Sequence, residues 1–145
     1  MDLEKLLKEG QVHKEKISPK EIRQALDRAD RDLKTARKIM VEDRDWGFAV
    51  TYNAILQASR AYMFAQGYRP AHSEGHKNTF TFMKIILGKE CEDLIAYFDR
   101  MRNKRNQAIY DVAGLITETE AKNLFAKATE FVKLIRGKLM DKGKN

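Results

Sequence analysis

Apolar residues recur along this chain at helical spacing. Ile22, Leu26, Ala29, Leu33, Ala36 and Met40 alternate steps of four and three, which puts them on one narrow stripe of a long helix. Ser18-Pro19-Lys20-Glu21 marks its start: serine at the N-cap, proline in the first turn, and Glu21 placed to complete a capping box. A second long helix is expected from about Trp46 to Gln66, capped by Asp43 or Asp45 and closed by Gly67. Its apolar residues do not keep to one face. Ala49, Tyr52, Leu56 and Met63 line one side, and Ala54, Ala58, Ala61 and Ala65 another. A helix apolar on two sides lies at the centre of a bundle or is shared with a partner chain.

Elsewhere the pattern is simpler. Residues 2–10 are expected to form a short, polar, frayed helix ending at Gly10, with a connector to Ile17. After a loop at residues 68–74, a shorter helix runs from Gly75 to Leu87 with Phe80, Met83 and Leu87 on its apolar side, and Gly88 ends it. A third long helix follows, from about Lys89 to Gln107, with apolar positions Cys91, Leu94, Ile95, Phe98 and Met101. The fourth starts at a second capping box, Thr117 with Glu120, and carries a wide stripe from Leu124 to Leu139. No strand-like alternation and no internal repeat is visible. The expected fold is all-α: an up-and-down antiparallel four-helix bundle over residues 18–140, with an extra short helix between the second and third long ones. Residues 1–17 precede it, and residues 141–145 are expected to be a disordered tail.

Composition agrees with this picture. Pro19 and Pro70 are the only prolines, and 34% of residues are charged, which suits amphipathic helices with solvated outer faces. The net charge of +7 draws polyanions at moderate salt, although a lysine-rich solubilising surface accounts for it equally well. Cys91 stands alone, so neither an intramolecular disulfide nor a cysteine metal site can form. Met1-Asp2-Leu3-Glu4-Lys5 opens no apolar stretch of signal-peptide length, and no apolar run approaches the ~18 residues of a membrane span. A cytoplasmic location is expected.

Candidate chemistry lies at the end of the third long helix. Continuing the stripe Cys91, Leu94/Ile95, Phe98, Met101 by the same steps reaches Arg102 and Arg105. A guanidinium on a core-facing stripe needs an acid, a phosphate or an open cleft, because desolvating it unpaired costs several kcal/mol. Two readings are open. Either the stripe emerges from the bundle end and both arginines are solvated or salt-bridged, or they form a phosphate-binding mouth suited to the planar guanidinium fork. His72 and His76 have a spacing that could bind zinc on one helix, but Gly75 lies between them and no third ligand is evident, so no metal and no cofactor is expected. Glu90, Glu92 and Asp93 favour the dipole at a helix start. His13 sits in the charged connector and carries no signal.

The segment Arg102-Asn103-Lys104-Arg105-Asn106-Gln107-Ala108-Ile109-Tyr110-Asp111 resembles the signature of the HEPN (higher eukaryotes and prokaryotes nucleotide-binding) family: an arginine, often followed by asparagine, then a histidine about five positions on. Tyr52-Asn53-Ala54-Ile55-Leu56-Gln57-Ala58-Ser59-Arg60-Ala61 with Gly67 resembles the family's second helix, and His76 with Phe80 its short intervening element. The order of these parts matches over roughly residues 18–140. Arg105 and Asn106 take the places of the motif's arginine and its neighbour, while Tyr110 stands in the histidine's place.

What the resemblance implies is a metal-independent ribonuclease chemistry in which the arginine steadies a phosphate and the histidine moves a proton. An ordinary phenol is ionised only to about one part in a thousand at neutral pH, so a tyrosine there is a poor base. Tyr110 can instead donate a hydrogen bond to phosphate or stack a base, and Asp111 is placed to pair with Arg105. Related members with a Tyr-Asp ending look like binding or partner modules. The resemblance therefore implies a homodimeric module binding nucleotide or RNA phosphate through Arg102, Arg105, Asn106, Asp111 and His76, beside a minimal nucleotidyltransferase in a toxin–antitoxin-like pair. The rival is an endoribonuclease using Arg105 with Tyr110 or His76, and a third reading is a non-catalytic oligomeric adaptor.

Overall fold

The computed structural model describes residues 2–71 and 75–143, without the side chains of 141–143. Along these residues run α1 (Leu3–Lys8), β1 (Val12–Lys14), α2 (Pro19–Glu42), α3 (Arg44–Ala65), β2 (Tyr68–Pro70), α4 (Gly75–Leu87), a 3₁₀ turn at Lys89–Cys91, α5 (Glu92–Tyr110) and α6 (Glu118–Gly143). The long helices α2, α3, α5 and α6 make the expected all-α bundle, with short α4 between the second and third of them.

Helix ends form where side chains satisfy the orphan amides. Ser18 Oγ accepts from the Glu21 N–H at 3.2 Å. Glu21's own carboxylate accepts from Arg69 Nη2 at 2.7 Å rather than reaching back to the cap, so the first capping box is half used. The second is complete: Thr117 Oγ1 accepts from the Glu120 N–H at 3.1 Å, and Glu120 Oε1 from the Thr117 N–H at 3.0 Å. Asp43 ends α2 and caps α3, its carboxylate accepting from the Trp46 N–H at 3.1 Å. A one-residue turn sends α3 straight back along α2, and the backbones nearly touch at Gly47. A Cβ at that position would lie 2.7 Å from Met40 Cα. Gly47→Ala is accordingly expected to cost about 1–3 kcal/mol, read as a lowered urea midpoint with unchanged slope.

α3 is the central helix, packed against α2, α4, α5 and α6. Tyr52, Leu56 and Met63 are buried on one side and Ala54, Ala58 and Ala61 on the other. Both apolar faces therefore find their partners within one chain, and the surplus that seemed to call for a second copy is consumed internally. Fully buried Phe48, Phe80, Phe82, Phe98 and Phe131 fill the core, with Phe98 and Phe131 meeting edge to face at 5.1 Å between α5 and α6.

The N-terminal segment departs from expectation. Leu6 and Val12 are core residues, and Val12-His13-Lys14 pairs antiparallel with Tyr68-Arg69-Pro70, Val12 opposite Pro70. Arg69 clamps this edge by binding both Glu15 and Glu21 while lying 4.9 Å over the Phe64 ring. The expected short helix forms as α1, but it is anchored through Leu6 and the connector contains a strand, because Leu6 and Val12 have apolar surface to bury. At the other end α6 runs to Gly143, past the expected close of the bundle at residue 140. Among the described residues no helix is long and apolar enough to cross a membrane.

Candidate functional site

Gly88, at φ 75°, lets the chain reverse between α4 and α5. The N-terminal turn of α4 then faces the C-terminal half of α5. Between them lies an open cleft of about 600 Å³, lined by Gly75, His76, Lys77, Arg102, Arg105, Asn106, Tyr110 and Asp111. The six residues singled out from sequence, His76, Arg102, Arg105, Asn106, Tyr110 and Asp111, all line this one cleft.

Arg105 has an unusual environment. Its Nη1 donates to Asn106 Oδ1 at 2.9 Å, a neutral acceptor, and its Nε is buried with no partner. The guanidinium carbon lies 5.7 Å from the Tyr52 ring centre and 5.9 Å from that of Tyr110. Aromatic faces attract a cation but accept no conventional hydrogen bond, so the fork keeps free donors. The expected Asp111–Arg105 pair is not formed. Asp111 caps α5 through its backbone N–H to Gln107 O at 2.9 Å, and its side chain is exposed and makes no ion pair among the described residues. Arg102 does have an acid, donating from Nε to Asp99 Oδ1 at 3.0 Å, with the Asp99 side chain 43% exposed.

Two residues overlooked in the sequence complete the site. Tyr52, on α3, places its hydroxyl 3.2 Å from His76 Nδ1. Arg60, also on α3, is half-buried, its Nε has no partner, and burial pulls its guanidinium below the ordinary range. Arg60 is the one charged residue between Ala49 and Ala65. That isolation in an apolar run was the available signal.

The Tyr52–His76 contact sets a tautomer. Burial holds the Tyr52 phenol protonated, well above its ordinary value, even though Arg102 and Arg105 pull it down. Arginines offer only donors. With the Tyr52 O–H as donor to Nδ1, the neutral imidazole carries its own proton on Nε2, on the far side of the ring from Tyr52. Burial first, then Arg60, Arg105 and Arg102, depresses the His76 pKa below 6.5. His76 is thus held neutral, and in that tautomer it is an Nε2–H donor, poorly set up either to accept a proton at Nε2 or to give one away.

The same shift makes a stability prediction. The unfolded chain binds a proton at His76 near pH 6.5, before the folded chain does. The stability tied to neutral His76 is complete above that pH and declines as pH falls toward the lower folded value. Wild type is expected to lose more urea resistance than His76→Gln between pH 7.5 and pH 5.5; equal losses would contradict this.

Chemically, the cleft offers Lys77, Arg102, Arg105 and the His76 imidazole against the Asp111 carboxylate, with Arg60 close enough to depress the His76 pKa and an exposed aromatic ring (Tyr110, 72%) at its mouth. Such a set has the chemistry that suits a phosphoryl or other tetrahedral anion, with a flat ring beside it. Among the described residues no group of three metal-ligating side chains comes together. His72, the other half of the sequence's histidine spacing, lies outside the described residues. His13 is on β1, opposite Arg69 and outside the cleft.

Fold and cleft together define an all-α bundle with a cationic mouth at the end of a helical hairpin. The HEPN domain model matches residues 22–138, most of the chain, and the protein belongs to the HEPN family. Searches of curated proteins and of solved structures returned no match.

Proposed function

We propose that this protein is a binding module whose α4–α5 cleft takes a phosphate of a nucleotide or of RNA. The observation that carries this reading is the pair of half-buried arginines, Arg60 and Arg105, whose Nε atoms are buried without a partner and which pair with no carboxylate among the described residues. A buried guanidinium left without an anion is costly, and a bound phosphate supplies the missing acceptors. The His76 tautomer favours binding over proton transfer, since Nε2–H donates to a phosphate oxygen but does not abstract a 2′-hydroxyl proton. Tyr110, the residue in the motif histidine's place, is mostly exposed with Arg105 on its ring, a geometry for stacking.

The reading extends to a cytoplasmic homodimer in which two copies of Arg102, Arg105 and Tyr110 share one cleft. Its support is the family resemblance and the exposure of Tyr110 and Val112 beside the cleft, apolar surface that a second copy would cover. A minimal nucleotidyltransferase as toxin–antitoxin-like partner rests on the resemblance alone, and the neighbouring gene tests it.

The direct test incubates the protein and an Arg105→Ala variant with single-stranded RNA in chelator, following both retention and integrity of the RNA. The expected result is intact RNA, bound by wild type and released by the variant. Cleavage by wild type that disappears in the variant would replace this reading with the ribonuclease one. Neither binding nor cleavage would leave a non-catalytic adaptor.

A further inference from the structure

The seam between α4 and α5 continues beyond the cleft. Along α4, Lys77, Thr81 and Lys84 follow one another at steps of four and three, and Gly88 comes four residues on, just past the helix end; on α5, Asn106, Arg102, Asp99, Ala96 and Glu92 run in reverse at steps of four, three, three and four. Such spacing keeps each series on one helix face. The first members line the cleft, and the later ones line a second cavity of about 750 Å³. One ion pair joins the two: Asp99 lines the second cavity, and its partner Arg102, 3.0 Å away, lines the cleft.

The second cavity has an apolar floor and a charged rim in which Lys84, Lys89 and Arg100 outnumber Glu92 and Asp99. Phe80 and Ile95 are buried beneath it, beside Ala96. Lys84, Lys89 and Arg100 stand around it. Lys84 reaches Glu92 only at 4.0 Å, and neither Lys89 nor Arg100 pairs with a carboxylate among the described residues. An apolar floor, a rim with an excess of cations and a phosphate cleft at one end suit a chain of bases on a phosphate backbone. Ala96 and Arg105 are nine residues apart on α5, about 14 Å of helix axis, which matches about four stacked nucleotides at roughly 3.4 Å each.

We propose that the α4–α5 seam is a single track for a single-stranded oligonucleotide, with one phosphate in the cleft and the bases of adjoining nucleotides over the second cavity. This rests on the reading of the cleft as a phosphate site and adds the ligand class: an oligonucleotide of about four residues, in preference to a mononucleotide.

The test measures affinities of the full chain for 5′-phosphorylated oligoadenylates of one, two, four and eight residues at fixed salt. The variants are Arg105→Ala, Lys89→Ala/Arg100→Ala, and Lys34→Ala/Lys38→Ala on the exposed face of remote α2 as an equal-charge control. Affinity is expected to rise about tenfold or more from one residue to four and then level off. The Lys89/Arg100 variant should lose about tenfold for the tetranucleotide and little for AMP, and the control should lose little for either. AMP and tetranucleotide binding alike, both sensitive to Arg105→Ala, would overturn the track and leave the cleft standing. Binding of neither, or binding indifferent to Arg105→Ala, would overturn both. An acidic peptide displacing the tetranucleotide with better affinity would also overturn the track.

Discussion

Phe98→Ala is expected to lower the unfolding free energy by about 3–5 kcal/mol, a large part of what a domain of this size possesses. The Phe98 ring is fully buried and meets Phe131 edge to face at 5.1 Å, with Tyr97 5.8 Å away on its own helix. Together these rings fill the space between α5 and α6. Truncation removes the transfer energy of the ring and leaves a void that two long helices cannot easily close. Because α5 carries Arg102 and Arg105, the loss also loosens the cleft. Urea unfolding checks this through the midpoint at unchanged slope. A loss under about 1 kcal/mol would mean that α5 and α6 can collapse together, contrary to the packing described.

Arg105→Ala is expected to act oppositely on binding and on stability. Affinity for a 5′-phosphorylated ligand should fall about 10- to 100-fold, the worth of one or two charge-assisted hydrogen bonds. Stability should change little or rise, because the wild-type Nε is buried without a partner and its removal ends that penalty. Arg105→Lys should recover only part of the affinity, since an ammonium cannot reproduce the fork or its seat between the Tyr52 and Tyr110 rings. A variant that loses binding and folding together would mark Arg105 as structural. Calorimetry for affinity and thermal unfolding without ligand separate the two.

Much of the fold was legible in the sequence because its signals are local. The steps of three and four in α2, the capping box at Thr117 and Glu120, and glycines 67 and 88 with positive φ act within a few residues of themselves. The β1–β2 pair was not legible. Three residues show no period, and their partners lie more than fifty positions away. The two-sided pattern of α3 fitted a central helix or a dimer surface equally well, and only the packing of α2, α4, α5 and α6 around it decides the matter. In the cleft, the α5 residues were legible because helical spacing carried the stripe onto Arg102 and Arg105. Tyr52 and Arg60 were not singled out because they reach the site from another helix. Asp111 lines the cleft, but its expected pair with Arg105 does not form, and adjacency in sequence could not show that.

The central claim is that the Arg105 fork, which has no carboxylate partner among the described residues, is completed by a phosphate. The arginine Nε–H signals in ¹H–¹⁵N correlation spectra, followed through a titration with AMP, test this at the atoms concerned. A saturable shift of Arg105 Nε–H, accompanied by Arg102 and absent for exposed arginines of α2 such as Arg23 and Arg28, is the predicted result. An Arg105 signal that stays in place while AMP binds, or shifts spread evenly over surface arginines, would contradict the account.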